Sequence, residues 1–143
     1  MIDSVTTGGA MPLLERQAVW GEVRHNVLAG NLANIDTPGF VPRDLDPAAF
    51  QEALAASVAA TSPGVPRDRY APPPADPLAG GVPDDLLTPA SRPGGGLVYH
   101  DGSPRSVERE VLTLTRNAMQ RQAAVQLLSA NMAMLQAAIT ERP

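Results

Sequence analysis

A mainly α chain with two long terminal helices is what this sequence predicts, on three observations. Apolar residues recur at alternating steps of four and three near both ends. The middle is dense in proline and glycine, and among 143 residues there are only two Phe, two Tyr and one Trp. A chain of this length makes one ordinary domain. Much of its apolar content is Ala, which favours close helix packing over a bulky core. The predicted architecture packs the terminal helices as an antiparallel coiled coil, with an extended Pro/Gly-rich middle region and a short β-hairpin. Its segments are 1–40, a first helix and its turn; 41–104, a short helix, the Pro/Gly-rich stretch and the hairpin; and 105–143, the last helix.

The first helix is read from about Pro12 to Ile35, with proline tolerated in its first turn. Leu14, Ala18, Gly21, Leu28, Leu32 and Ile35 follow the heptad spacing, and His25 fills the remaining slot. Trp20, Val23 and Val27 form a neighbouring apolar row that widens the face. Pro38 disfavours helical geometry at Thr37, so the helix stops near Ile35 or Asp36. Thr37, Pro38, Gly39 and Phe40 read as a type II turn, with Gly39 supplying positive φ. Asn31 and Asn34 share a face beside it, where their amides satisfy carbonyls at the helix end or reach a neighbouring chain.

Asp46 and Pro47 read as cap and first turn of a short Ala-rich helix to about Ala60, with Phe50 and Leu54 on one face. From Thr61 to Gly96 there are nine Pro and six Gly in 36 residues, which predicts a stretch that is extended, mobile or disordered when alone. Asp101 and Gly102 suit the turn of a small hairpin within LVYHDGSPRSV.

The last helix is predicted from Val107 to Thr140, with Ser106 as N-cap and Glu108 and Glu110 complementing the positive end of its dipole. At 1.5 Å per residue it spans roughly 50 Å. Its predicted seam is Val107, Val111, Leu114, Ala118, Arg121, Val125, Leu128, Met132, Leu135 and Ile139. Arg121, the one charge there, either snorkels outward or acts as a polar register key.

The chemistry-bearing residues do not assemble into a catalytic pattern. Net charge is −4 and the eleven cations, all Arg, form no run, which argues against nucleic-acid binding. No cysteine is present, excluding disulfides, thiolate metal sites and a Cys nucleophile. His25 and His100 have no second ligand at metal spacing, and Asp84 and Asp85 read as solvating charges. Gly94 to Gly96 precede neither helix nor lysine, so they make a poor phosphate loop. Met119, Met132 and Met134 read as adaptable seam packing. The expectation is a non-enzyme without cofactor, metal or small-molecule substrate, with no membrane span and no cleaved signal peptide.

The run RHNVLAGNLANIDTPGFVPRDLD, Arg24 to Asp46, resembles the amino-terminal signature of the bacterial flagellar axial proteins. These share an Asn, Ala-Asn, Thr-x-Gly-aromatic motif, carried here by Asn31, Ala33, Asn34, Thr37, Pro38, Gly39 and Phe40. Arg116 to Ile139 is similar to the family's closing helix in pattern and length, and a DG turn precedes it. Phe40 stands where tyrosine is usual, so a hydrogen bond by that hydroxyl is absent, and Val41 and Pro42 stand where a basic and a small residue are more frequent, which leaves the turn intact and the contact beyond it open.

The resemblance implies a building block of the periplasmic flagellar rod, exported unprocessed through the flagellar type III apparatus. Its implied partners are other copies of itself, neighbouring rod proteins and the rod-base adaptor FliE. The terminal helices would form an inner coiled-coil domain, largely unfolded before assembly. On that reading the motif turn is one functional group. The helix seams, Leu28, Leu32 and Ile35 with Val111, Leu114, Val125, Leu128, Met132 and Leu135, are a second. Arg24, Arg43 and Asp44 are candidates for polar contacts between subunits. Outside the family, the residues also suit a secreted coiled-coil translocator or chaperone-like binding module.

Overall fold

The computed structural model describes residues 10–61, 75–92 and 107–140, and the chain is mainly α-helical. Its elements in order are α1 (Ala10–Ala33), β1 (Arg43–Asp44), α2 (Pro47–Thr61), β2 (Ala90–Ser91) and α3 (Val107–Thr140). The bounds of α3 are those the heptads predict, and α2 runs one residue beyond its expected end. α2 begins where Asp46 caps it: Oδ1 accepts from the amides of Ala48 at 2.9 Å and Ala49 at 3.1 Å.

α1 and α3 run antiparallel, since Asn31 meets Glu110, Gly21 meets Asn117 and Glu22 meets Arg121. The approach is closest at Gly21. A Cβ there would lie 3.3 Å from the Cβ of Arg121, and Asn117 Nδ2 donates to the Gly21 carbonyl at 2.8 Å. The stem of Arg121 therefore packs on the glycine while its guanidinium pairs with Glu22, which fits the register-key reading over free snorkelling.

The row of α3 that meets α1 differs in part from the predicted one. Leu114, Arg121, Leu128 and Leu135 are half-buried as expected, but the second row in the interface is Glu110, Asn117, Ala124 and Asn131. The other predicted row is open: Val111 is 43% exposed, Val125 46%, Met132 51% and Ile139 68%. The cause is that Glu110 and Asn117 have polar partners on the α1 side, so this row is buried by hydrogen bonding where apolar counting assigned the valines. On α1, Leu28 is fully buried and Leu32 half-buried; the helix closes at Ala33, short of the expected end, so the half-buried Ile35 lies in the turn beyond it.

On the other flank of α1, Trp20, Leu45 and Phe50 form a small core. The rings of Trp20 and Phe50 stack at 4.4 Å and 6°. Each such side chain contributes about 2–3 kcal/mol by leaving water. Val82, Leu86 and Leu87 pack on this cluster, Leu78 is fully buried, and Trp20 Nε1 donates to the Leu86 carbonyl at 3.2 Å.

Residues 75–92 are thus a series of turns with a buried anchor, which differs from the extended, mobile or disordered stretch expected from composition; the rest of that stretch, 62–74 and 93–96, lies outside the described residues. Four apolar side chains spaced between the prolines and glycines suffice to anchor them. The antiparallel strand pair also falls elsewhere than expected. Arg43 faces Ser91 and Asp44 faces Ala90, whereas the hairpin predicted around Asp101 and Gly102 lies outside the described residues, as does His100.

Candidate functional site

α1 ends at Ala33, and the motif forms the turns that follow. The amide of Asn34 donates to Gly30 and Asn31 carbonyls at 3.1 and 3.2 Å, and that of Thr37 donates to Asn34 at 3.0 Å. The Phe40 amide then donates to the Thr37 carbonyl at 3.2 Å, and Gly39 has φ +74°. This is the type II turn predicted from Thr37-Pro38-Gly39-Phe40, with glycine at the position requiring positive φ.

The two motif asparagines do different work. Asn34 Nδ2 satisfies the Gly30 carbonyl at 2.8 Å from an exposed position. Asn31 is buried and grips the backbone of Arg43 in both directions, Nδ2 donating to its carbonyl at 2.6 Å and Oδ1 accepting its amide at 3.0 Å. Its side-chain amide thereby acts as the strand partner on the free edge of β1 and fixes how the chain returns after the turn. Asn31 Nδ2 also lies 3.5 Å from Glu110 Oε2 on α3.

Next to this grip lies a chain of alternating charges. Arg24 holds Asp44 bidentately, Nε to Oδ1 and Nη2 to Oδ2 both at 2.8 Å. Arg92 Nη2 reaches the same Asp44 Oδ2 at 2.7 Å, and its Nη1 reaches Glu110 Oε1 at 2.8 Å. The clasp ties α1, β1, the residue after β2, and α3. Side-chain exposure of its members is 7–22%, so the pairs are weakly screened by solvent. Burial alone would raise the pKa of Asp44, but the hydrogen bonds and charges of Arg24 and Arg92 outweigh it and hold the carboxyl below its ordinary value. Arg24 also lies over the Trp20 ring at 5.3 Å, joining the clasp to the small core.

Of the three residues expected to bond between subunits, Arg24 and Asp44 are therefore engaged with each other inside the chain. Arg43 is exposed. It lines an open groove of about 740 Å³ beside the motif turn, together with Asn26, Val27, Asn34, Phe40 and Val41. Arg92 and Glu110 were not singled out from sequence as partners. Glu110 carries a first-turn helix charge, yet it is 5% exposed and ion-paired. A second, smaller cluster joins Arg16 to the buried Ser57 at 3.1 Å and to Asp76 at 3.5 Å.

Among the described residues no three His, Cys, Asp or Glu side chains stand close enough to hold a metal. Among the described residues, His25 Nδ1 is buried with no hydrogen-bond partner. A fixed turn, a backbone grip and a charge clasp together set the angle at which the chain leaves α1.

No family model, curated protein or solved structure matches this chain.

Proposed function

We propose that this chain is a structural subunit of the bacterial flagellar rod, of the proximal type represented by FlgB. The observation that carries the reading is the motif itself. Of the seven residues on which the family resemblance rests, Asn31, Thr37, Pro38, Gly39 and Phe40 build the turn and fasten it to β1, and Asn34 satisfies a carbonyl at the helix end. The Arg43-Asp44-x-Asp46 extension favours FlgB over FlgC as the nearer rod subunit. Asp44 is the centre of the clasp and Asp46 the cap of α2.

In this reading α1 and α3 are the two halves of an inner coiled-coil domain. Copies polymerise through the apolar surface of these helices, and torque passes along the helix packing. Neighbouring rod proteins, FliE and the flagellar type III export apparatus are the partners, and the periplasmic rod is the location. The protein has no catalytic role.

Complementation of a strain lacking the gene tests this. Wild-type chain restores motility. Gly39→Val, which forces a β-branched side chain to φ +74°, does not. Leu128→Asp places a charge in the half-buried row facing α1 and abolishes polymerisation. Full motility with Gly39→Val would overturn the role given to the turn. Motility unaffected by deletion of the gene would overturn the rod assignment.

A further inference from the structure

The free edge of the small sheet and the groove beside the motif turn meet at one residue, Ser91. The Arg92 amide donates to the Pro42 carbonyl at 2.9 Å, and Arg43 stands opposite Ser91. In an antiparallel ladder, facing residues alternate between pairs that exchange hydrogen bonds and pairs whose N–H and C=O point away from each other. Arg92 and Ala90 therefore bond across to the β1 side, while Arg43 and Ser91 each turn both backbone groups outward. Asn31 takes up those of Arg43. Beyond β2 the sheet ends, and among the described residues nothing bonds the N–H or C=O of the exposed Ser91.

Ser91 also lines the groove of about 740 Å³, and facing residues put their side chains on the same face of a sheet, so Arg43 lines it beside Ser91. Arg43 is exposed, has no ion-pair partner among the described residues, and is the one charged side chain on the walls of this groove. Val27, Phe40, Val41 and Pro89 give it apolar surface, and Asn26 adds an exposed amide. Both strands are held beforehand. Asn31 grips β1 from its far side, and Arg92 ties the end of β2 to Asp44 and Glu110. An occupant therefore meets a surface that is already ordered.

We infer that this groove takes an extended peptide segment of another protein, one that carries an Asp or Glu next to an apolar β-branched residue and adds to β2 as a third strand. The outward N–H and C=O of Ser91 call for a partner with free backbone groups, which an extended segment has and a helix does not. The unpaired Arg43 calls for a carboxylate. The apolar surface of Val27, Phe40 and Val41 calls for an apolar side chain alongside it. Main-chain bonds then supply affinity, and the side-chain contacts supply specificity. β2 of a second copy does not answer this description, because Ala90 and Ser91 offer neither a carboxylate nor a large apolar group.

A short added strand and one exposed ion pair make a weak contact, with a Kd of about 1 mM. Such a contact goes beyond the rod reading and does not rest on it. It uses only the strand edge and the groove, and it leaves the exposed apolar surface of α3 untouched.

The test titrates an acetylated and amidated peptide, Val-Thr-Asp-Val-Thr, into the isotopically labelled full-length chain and follows backbone amide shifts by nuclear magnetic resonance. The expected result is saturable shifts with a Kd of about 1 mM, largest at Ser91, Arg43 and Val41. Replacing the aspartate of the peptide with asparagine, or Arg43→Ala in the chain, should weaken binding about fivefold, the upper range for an exposed ion pair. A peptide N-methylated at every residue should not bind. Ser91→Pro removes the outward donor and none that bonds β1, so it should abolish saturation too. The Trp20 indole signal should stay in place in both variants, as a check that the small core is intact. No shift at Ser91 up to about 10 mM peptide, tenfold above the expected Kd, would overturn the inference. Equal binding by the N-methylated peptide, or equal shifts with sodium glucuronate at the same concentration, would do so as well. Shifts at Ser91 and Arg43 that grow on concentrating the chain alone would assign the edge to a second copy and overturn it.

Discussion

The two halves of α3 are held by different means. From Val107 to Arg121 the helix carries five charged residues, and its inward row includes Glu110 and Asn117, fastened to Arg92 and to the Gly21 carbonyl. From Gln122 to Thr140 it carries none, and after Ala124 no side chain is buried. The first half is specified within the chain by directed polar contacts, which fix register and angle. The second half presents non-directional apolar surface, which adapts to whatever helix covers it. On the proposed rod reading, such a chain sets its internal geometry first and assembles with what remains.

The sharpest way to break this comparison is to remove the hub of the clasped half. Asp44→Ala strips two partly buried arginines of their shared carboxylate, and breaking such a pair costs about 3–5 kcal/mol. Urea unfolding should report a loss of that order. A loss below about 0.5 kcal/mol, the range of ordinary surface changes, would show that the clasp is dispensable.

The same carboxylate predicts a pH dependence. Its folded pKa lies below the ordinary value of 3.8, so its contribution is fully present above that value and is lost as pH falls through the folded pKa. Asp76, held low against burial by hydrogen bonds from Ser57 and the Leu78 amide and by Arg16, acts in the same direction. Thermal midpoints should be flat from neutral pH down to about pH 5 and fall steeply below pH 4. In Asp44→Asn the acid limb should be shallower, and an unchanged limb would assign it elsewhere.

Smaller effects follow at the turn and along α3. Gly39→Ala meets open space but carries its Cβ at φ +74°, for about 1–2 kcal/mol. Asn117→Ala removes the bond to Gly21 for about 1 kcal/mol. Met132→Gln should change monomer stability by less than about 0.5 kcal/mol while reducing self-association. If Met132→Gln destabilised the isolated chain as much as Asn117→Ala, the two halves would not differ as described.

Much of this architecture is legible in sequence because its causes are local. Pro38 and Gly39 dictate the turn, Asp46 followed by Pro47 dictates the start of α2, and apolar steps of four and three give α3 its span. What local pattern does not carry is the choice between two rows that share Leu114, Arg121, Leu128 and Leu135. Apolar periodicity marks only the valine-bearing row, whereas the polar row is buried through partners such as Arg92, 18 residues from Glu110 in the chain. The clasp is hidden for the same reason, since its Arg24–Asp44 and Asp44–Arg92 pairs span 20 and 48 residues. The folded turns at 75–92 are masked by composition, because prolines and glycines outnumber the few leucines and valines that anchor them.

Quantitative mass spectrometry of detergent-extracted basal bodies from the source organism tests the rod assignment most directly. Recovery of this chain in a fixed ratio to the other rod proteins is the predicted result. Its absence from otherwise complete rods would contradict the assignment and leave a helical binding protein that shares the motif turn.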